Sequence, residues 1–498
     1  MLRYFLLLTF ISSLLFSCSD VETLRELDAI ETDAEFAFPL MNSKVVIGNL
    51  IDNFDDQATV IVEPDGLLRF SYTGDTTIRD SREIFDEINA ALPSLIPIFD
   101  TLIGFPISNS SIEVDRILFK SGELQYTFFN NNSNAIDITV SIPEIFKDGE
   151  PLSQSFQVGA FSDLPLAGFD LRGAWLIPNN DSLTIRYEAK IETGQNVGVA
   201  NFFMLPKELD YSYAEGILGA QAFESDQDTL EFDYYENWTG GNVSFEKPQV
   251  TLNIINAFGF PAVAMAETFE VLTIDNQTLP LESSLIEQGF AFNYPTLDEV
   301  GVTKTTEFIF NASNSNIVQV INAAPNAVVY DLDVVTNPTA NSKGFLTDSS
   351  YFAYSIDAEF PLEGRISDFT IRDSTEVDLS SYDKIESAEF KVVVENGIPL
   401  ETTLQAFFVD NKGNILDALF DKTQVIANAA STDENGKVIN TGDGTFFIEL
   451  DAEKFDRIRD AAYLRLESSF SSPNGGKKLI KIFNEQSINV RVGLKLKV

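Results

Sequence analysis

The side chains that could do chemistry in this 498-residue chain are few in kind. There is no histidine and a single cysteine, Cys18, against 76 Asp and Glu. Without histidine there is no Ser-His-Asp or Cys-His nucleophile, no imidazole metal ligand and no imidazole proton shuttle. One cysteine allows neither a disulfide within the chain nor a thiolate cluster. Carboxylate-pair hydrolysis survives these exclusions, but with so many acids a pair can be drawn almost anywhere. No Gly-rich phosphate loop, G-x-S-x-G turn or H-E-x-x-H run is present. The chain therefore reads as non-catalytic, and no cofactor or metal is expected. The net charge of -43 makes nucleic acid a poor partner, because binding it requires cations that displace counterions.

Two clusters point to binding. Tyr234, Tyr235 and Trp238 flank Glu236 and Asn237; aromatic faces stack on sugar rings while carboxylate and amide groups take hydroxyls, so these three are the candidate glycan contacts. Neighbouring residues of a strand face opposite ways, which sends at least one of the two tyrosines inward. The second cluster is Leu95, Ile96, Ile98, Phe99, Leu102, Ile103 and Phe105, more apolar than a surface loop should be and a candidate docking element for a partner. Acidic loops at Asp52–Asp56 and Asp433–Gly436 lack the EF-hand spacing and read as solvated turns. Lys477, Lys478, Lys481, Arg491, Lys495 and Lys497 gather near the end of the chain, a cationic patch that complements its acidic remainder.

The elements that hold these residues are mostly strands. Phe is abundant, at 42 residues, and aromatic residues favour pleated sheets. Thr59–Val62 and Leu67–Phe70 flank Asp65-Gly66 as a hairpin, and Phe408–Leu416 repeats the pattern around Asn411–Gly413. Residues 490–498 alternate apolar and polar, a strand with one buried face. Asp80 and Glu83 cap a helix whose apolar stripe is Ile84, Phe85, Ile88, Ala91 and Leu92, ending at Pro93. Residues 453–462 carry Phe455 and Ile458 at helical spacing.

A repeat runs through the chain. Three times a strand ends in Asn, turns, and resumes as a second strand: at Asn130, Asn256 and Asn396, 126 and 140 residues apart. That spacing suits β-sandwich modules. The Asn fits the turn by tolerating left-handed φ and by capping its own backbone. Asp33–Leu40 is echoed at Asp357–Leu362. The expected fold is all-β: about three tandem immunoglobulin-like sandwich modules, at 36–200 with a helical insertion at 80–105, at 201–345, and at 346–498. The strand-Asn-turn-strand pattern resembles late-embryogenesis-type immunoglobulin-like domains over about 25 residues per copy.

Residues 1–17 have a positive start at Arg3, an apolar stretch from Phe5 to Phe16, and small Ser17 before Cys18, the pattern of a signal peptide. Leu15-Phe16-Ser17-Cys18 resembles the bacterial lipobox. The resemblance implies thioether lipidation of Cys18, cleavage before it and acylation, palmitate included, of the new amine. Ser19-Asp20-Val21-Glu22 resembles the export signal of surface-exposed Bacteroidota lipoproteins. Residues 18–35, acidic and polar, read as a tether. The resemblance implies a lipid-anchored outer-membrane lipoprotein facing the cell exterior. Its expected role is accessory or assembly subunit of a membrane β-barrel or surface complex; the alternatives are surface glycan binding and, last, carboxylate-based hydrolysis.

The lipid expectation has a direct check. Cys18→Ala is expected to remove the protein from the detergent phase on partitioning of cell membranes; retention at the wild-type level contradicts lipidation.

Overall fold

A computed structural model describes residues 35–48, 58–91, 94–107, 112–180, 182–232, 235, 237–339, 341–377, 379 and 387–497. Cys18, the segments before residue 35, the Asp52–Asp56 loop and Tyr234 lie outside them. The fold is all-β, several sheets with short helices between. Among the described residues no helix is long and apolar enough to cross a membrane.

One sandwich occupies residues 96–218. Its eight strands in chain order are Ile96–Ile98, Leu102–Pro106, Ile112–Asn130, Ile136–Lys147, Glu150–Val158, the pair Ser162–Asp163 with Ala167–Asp170, Ser182–Ile191 and Ala200–Leu218. The eighth pairs with the first and third, and the third with the sixth. The seventh pairs with the second and fourth, and the fourth with the fifth. Two layers of order 1-8-3-6 and 2-7-4-5, all antiparallel, make a jelly roll, with the short strand Trp175–Leu176 bridging the third and fourth strands.

The same order recurs twice. In the second roll the first strand is Leu68–Thr73 with Thr77–Asp80 and the second is Gln221–Phe223 with Asp228–Glu231. The third to eighth follow between Gln249 and Pro361. In the third roll the first strand is Glu35–Val46, the second is Glu363–Glu376, and the rest run from Ser387 to Lys497. The whole first roll thus sits between strands one and two of the second, and the second between strands one and two of the third.

This nesting corrects the tandem partition. Residues 35–46 belong with 487–497, and 68–80 with 351–361, because those strands share ladders across hundreds of residues. The boundaries drawn at 36–200, 201–345 and 346–498 cut through these pairings, and the strand order is that of a jelly roll. The echoed segments fall on non-equivalent strands, the first of one roll and the eighth of another. The expected helix spans Arg82–Ala91, with Asp80 accepting the Arg82 N–H at 2.9 Å and Ile84, Phe85 and Ile88 buried. Residues 96–98 and 102–106 are strands. Both hairpins form, their turns carried by Gly66 at φ 88° and Gly413 at φ 84°, a conformation Gly adopts without penalty. The later helix is Ala452–Ile458, capped by Asp451, which accepts the Lys454 N–H at 2.8 Å.

The three Asn corners are built alike. Asn130, Asn256 and Asn396 are each 0% exposed. Each side-chain oxygen accepts the backbone N–H two residues on: Asn132 at 3.0 Å, Phe258 at 2.9 Å and Ile398 at 2.9 Å. Each amide donates across to the loop between strands five and six, at Gly159, Asn293 and Asn428. The capping expectation holds; the left-handed one does not, since none of the three has positive φ.

Contacts order the rolls into a stack. One hydrophobic core runs through the first two rolls, from Ala58 to Phe360, and a second fills the third, from Ala388 to Val492. Roll one meets roll two where Gly344–Thr347 pairs with Tyr213–Gly216, Tyr213 stacks on Phe345, and Lys343 reaches Asp115 at 2.9 Å. Roll two meets roll three where Leu68 donates to the Ile482 carbonyl at 3.0 Å and Asn484 to that of Gly66 at 3.0 Å. Trp238–Phe245, leaving roll two, adds an edge strand beside Glu363–Glu376 of roll three. The chain climbs through the three first strands to residue 99 and builds the rest of each roll on the way down. Residues 35 and 497 pair at the base. Eighth strands of 11, 11 and 19 residues, at roughly 3.3 Å per residue, set a height on the order of 100 Å.

Asn396→Ala would leave the Ile398 N–H and two carbonyls unpaired in the interior. It is expected to cost about 3 kcal/mol, read as a lower denaturation midpoint of the third roll, whereas exposed Asn435→Ala should change stability by no more than about 0.5 kcal/mol.

Candidate functional site at the tip of the first roll

The apolar 95–105 segment contains the first two strands of roll one. Strand alternation splits its side chains. Ile96 and Ile98 face the core, at 3% and 5% exposure, while Leu95, Phe99 and Leu102 point out, at 48%, 87% and 59%. Ile103 and Phe105 are half-buried against the core. The first strand pairs with 202–204 and the second with 182–186, so the segment bridges the edges of the two sheets. The turn between them is fixed by Asp100, which accepts the Thr101 N–H at 2.7 Å, and by the Tyr187 N–H, donated to the Thr101 carbonyl at 3.0 Å.

Four loops gather at this end: 99–101, 131–135, 159–161 and 192–199. In the third of them is Phe161, 64% exposed and held at φ 48°. Left-handed backbone is uncommon for a bulky residue and costs on the order of 1 kcal/mol. It persists because the Phe161 N–H is fixed on the Asn132 carbonyl at 3.2 Å, beside the buried Asn130 corner. The fold thus spends strain to hold an aromatic ring in water. Strand register sets Phe99 and Phe161 three strand spacings apart, roughly 15 Å. The four loops and their flanks also carry exposed polar residues, among them Asp100, Asn131, Asp163 and Glu192. Phe161 has no sequence signature of its own: a Gly-Ala-Phe-Ser turn does not declare its φ.

The aromatic cluster is divided differently from the glycan expectation. Tyr235 is only 6% exposed, with its ring 5.9 Å from Trp238 and 5.8 Å from Phe369. Burial pushes its hydroxyl up to about 12. Trp238 donates its indole N–H to the Gly241 carbonyl at 3.2 Å and opens the edge strand laid on roll three. Tyr235 packs this connecting segment onto Phe369 of roll three, and burial takes it out of reach of a sugar.

The cationic patch serves the chain's own carboxylates. Lys481 lies 3.5 Å from Glu363, which Lys247 also meets at 3.0 Å, and Arg491 pairs with Glu395. Lys478 donates to the Thr432 hydroxyl at 3.1 Å. In the Asp433–Gly436 loop, Asp433 accepts the N–H groups of Asn435 and Lys437 at 2.9 and 2.8 Å, a turn closed on itself. Among the described residues no group of three or more acidic or thiol side chains is arranged to hold a metal ion. A surface ladder not visible in the sequence stacks Arg116 over Trp175 and Tyr213, at 5.7 and 5.4 Å, and pairs it with Glu215 at 2.6 Å. It covers the side of roll one near its junction with roll two.

No protein-family model matches the chain. No curated protein matches it. Among solved structures it is similar to a "putative secreted protein" from Parabacteroides distasonis ATCC 8503, at 12% identity and TM-score 0.26, over 93% of this chain and 100% of that one. It is similar to the VP2 subviral particle of infectious bursal disease virus at 9% identity and TM-score 0.17, over 79% and 75%. An archaeal virus structure described by its triple jelly roll fold and turret assembly matches at 9% identity and TM-score 0.11, over 89% and 96%. Overlaps at these TM-scores carry no argument; the jelly-roll assignment rests on strand order alone.

Stability should separate the tip from the core. Ile98→Ser is expected to cost about 3 kcal/mol. Phe161→Gly, by relieving left-handed strain, should be neutral or stabilising by up to about 1 kcal/mol. Chemical denaturation of the two variants checks both; a clear loss in Phe161→Gly would make that ring a packing residue.

Proposed function

We propose that this chain is a lipid-anchored, non-catalytic outer-membrane lipoprotein, an accessory subunit that holds a protein partner with the tip of its first roll. The observation that carries the reading is the path of the chain. Residue 35, which Cys18 precedes by a short acidic segment, starts at the base; Phe99, Leu102 and Phe161 stand at the far end of the stack. With lipid on Cys18, the exposed rings face away from the membrane that holds the anchor. A tip on the order of 100 Å from the base favours a partner that projects from the surface over a barrel wall flush with the bilayer. Exposed, rigidly held aromatics among exposed polar residues are the composition of a contact centre.

The test is a gentle-detergent pull-down from native outer membranes, run for wild type and for a Phe99→Ser/Phe161→Ser variant. A stoichiometric partner recovered with wild type and lost by at least tenfold with the variant is expected. A partner retained by the variant rules out the tip. Absence of any partner rules out the accessory role and turns attention to glycan arrays.

A further inference from the structure

We propose that the nested topology is a tension strap: the fold resists force far better along the line from anchor to tip than across its base. The idea rests on the anchoring just proposed for its physiological meaning, although the mechanical property belongs to the fold by itself.

Between residues 35 and 99 the chain passes through the first strand of every roll, doubling back once as Ala58–Val62 against Leu68–Thr73, so a single stretch of backbone links base and tip. Each of those strands is zipped to the eighth strand of its own roll. The rungs run from Glu35↔Lys497 to Val46↔Ser487, from Arg69↔Pro361 to Asp80↔Tyr351, and from Ile96↔Met204 to Ile98↔Phe202. In tandem domains, by contrast, a pull crosses every linker and every domain end in series.

Direction decides how the rungs share the load. Antiparallel ladder bonds lie perpendicular to the strands. A downward pull on residue 35 enters Glu35–Val46 at the base. Its partner Ser487–Lys497 is held from above, where Ile482 and Asn484 are bonded to the second roll at Leu68 and Gly66. Force enters the two strands at opposite ends, so all rungs are sheared together. The register shift between Pro39 and Met41 is a bulge that must be displaced before the strand can slide. Above it, Ile47 and Gly48 donate to the Gln486 and Asn484 carbonyls at 2.9 and 2.8 Å, so the strap is tied again before entering the second roll. A pull between residues 35 and 497 is different. Those residues are a rung at one end of the ladder, and the bonds break one at a time.

Single-molecule force spectroscopy tests this on the chain from residue 18, produced unlipidated so that Cys18, the chain's one cysteine, is a thiol handle. The second handle is placed by Asp100→Cys at the tip, or by Val498→Cys, the residue after the Glu35↔Lys497 rung. Both variants are first checked for an unchanged melting curve. The expected result is a rupture force several-fold higher for the 18–100 pair than for the 18–498 pair. Moving the lower handle up the ladder, with Asn42→Cys in a Cys18→Ser background, should lower the 42–100 rupture force, because fewer rungs are sheared. Equal forces in the two directions, or no change on moving the handle, overturn the strap. Either result is independent of the pull-down, so strap and partner can fail separately.

Discussion

Everything in this fold depends on one kind of contact: the antiparallel pairing of each roll's first strand with its eighth. In the third roll that contact joins residues 35–46 to 487–497, with two other domains threaded between. Without it the third roll loses a strand of its first sheet and the N-terminal segment loses its hold on the stack. With it the three rolls share one axis, and the N-terminal segment becomes the side rail of the stack. The Asn corners serve the same end at shorter range. Each ties the turn after strand three to the loop after strand five, so that a sandwich edge meets its neighbour at a fixed height.

Local physics was legible in the sequence, and long-range pairing was not. Alternation over 490–495, the Asp65-Gly66 turn and the stripe Ile84-Phe85-Ile88 each depend on neighbours a few residues apart, and each is in the structure as read. The repeated Asn was visible because a buried side-chain cap needs that residue type at that spot. What no residue type announces is which strand a strand will join. Glu35–Val46 carries no mark pointing to a partner more than 400 residues on, so the strand-Asn-turn motif suggested three copies in series when the copies are nested.

The candidate site divides along the same line. The 95–105 stretch was readable as unusually apolar, but a short apolar run does not reveal whether it is strand or helix. Only the strand geometry explains why Ile96 and Ile98 are core while Phe99 and Leu102 are wet. Tyr235 is buried, but it lies in a turn ahead of the strand that opens at Trp238, so packing on Phe369 and not strand alternation turns it inward. Phe161 escaped because its distinction is a backbone angle, and the sequence encodes that angle through the Asn130 corner and its neighbour Asn132, not through the phenylalanine.

Nesting also sets an order of assembly. The first roll is contiguous from 96 to 218 and can close as soon as that stretch is made. The second needs residue 361, and the third needs the strand ending at 497. The stack therefore completes from tip to base, and Glu35–Val46 must wait unpaired for nearly the whole chain. Such separation slows closure, and an unpaired apolar strand invites wrong partners. A chain with one cysteine cannot hold the halves together by an internal disulfide. A net charge of -43 acts at this stage: like-charged chains repel one another while the edges are open. The acidity that excludes nucleic acid as a partner is then better understood as protection of a fold whose first strand is the last to find its place.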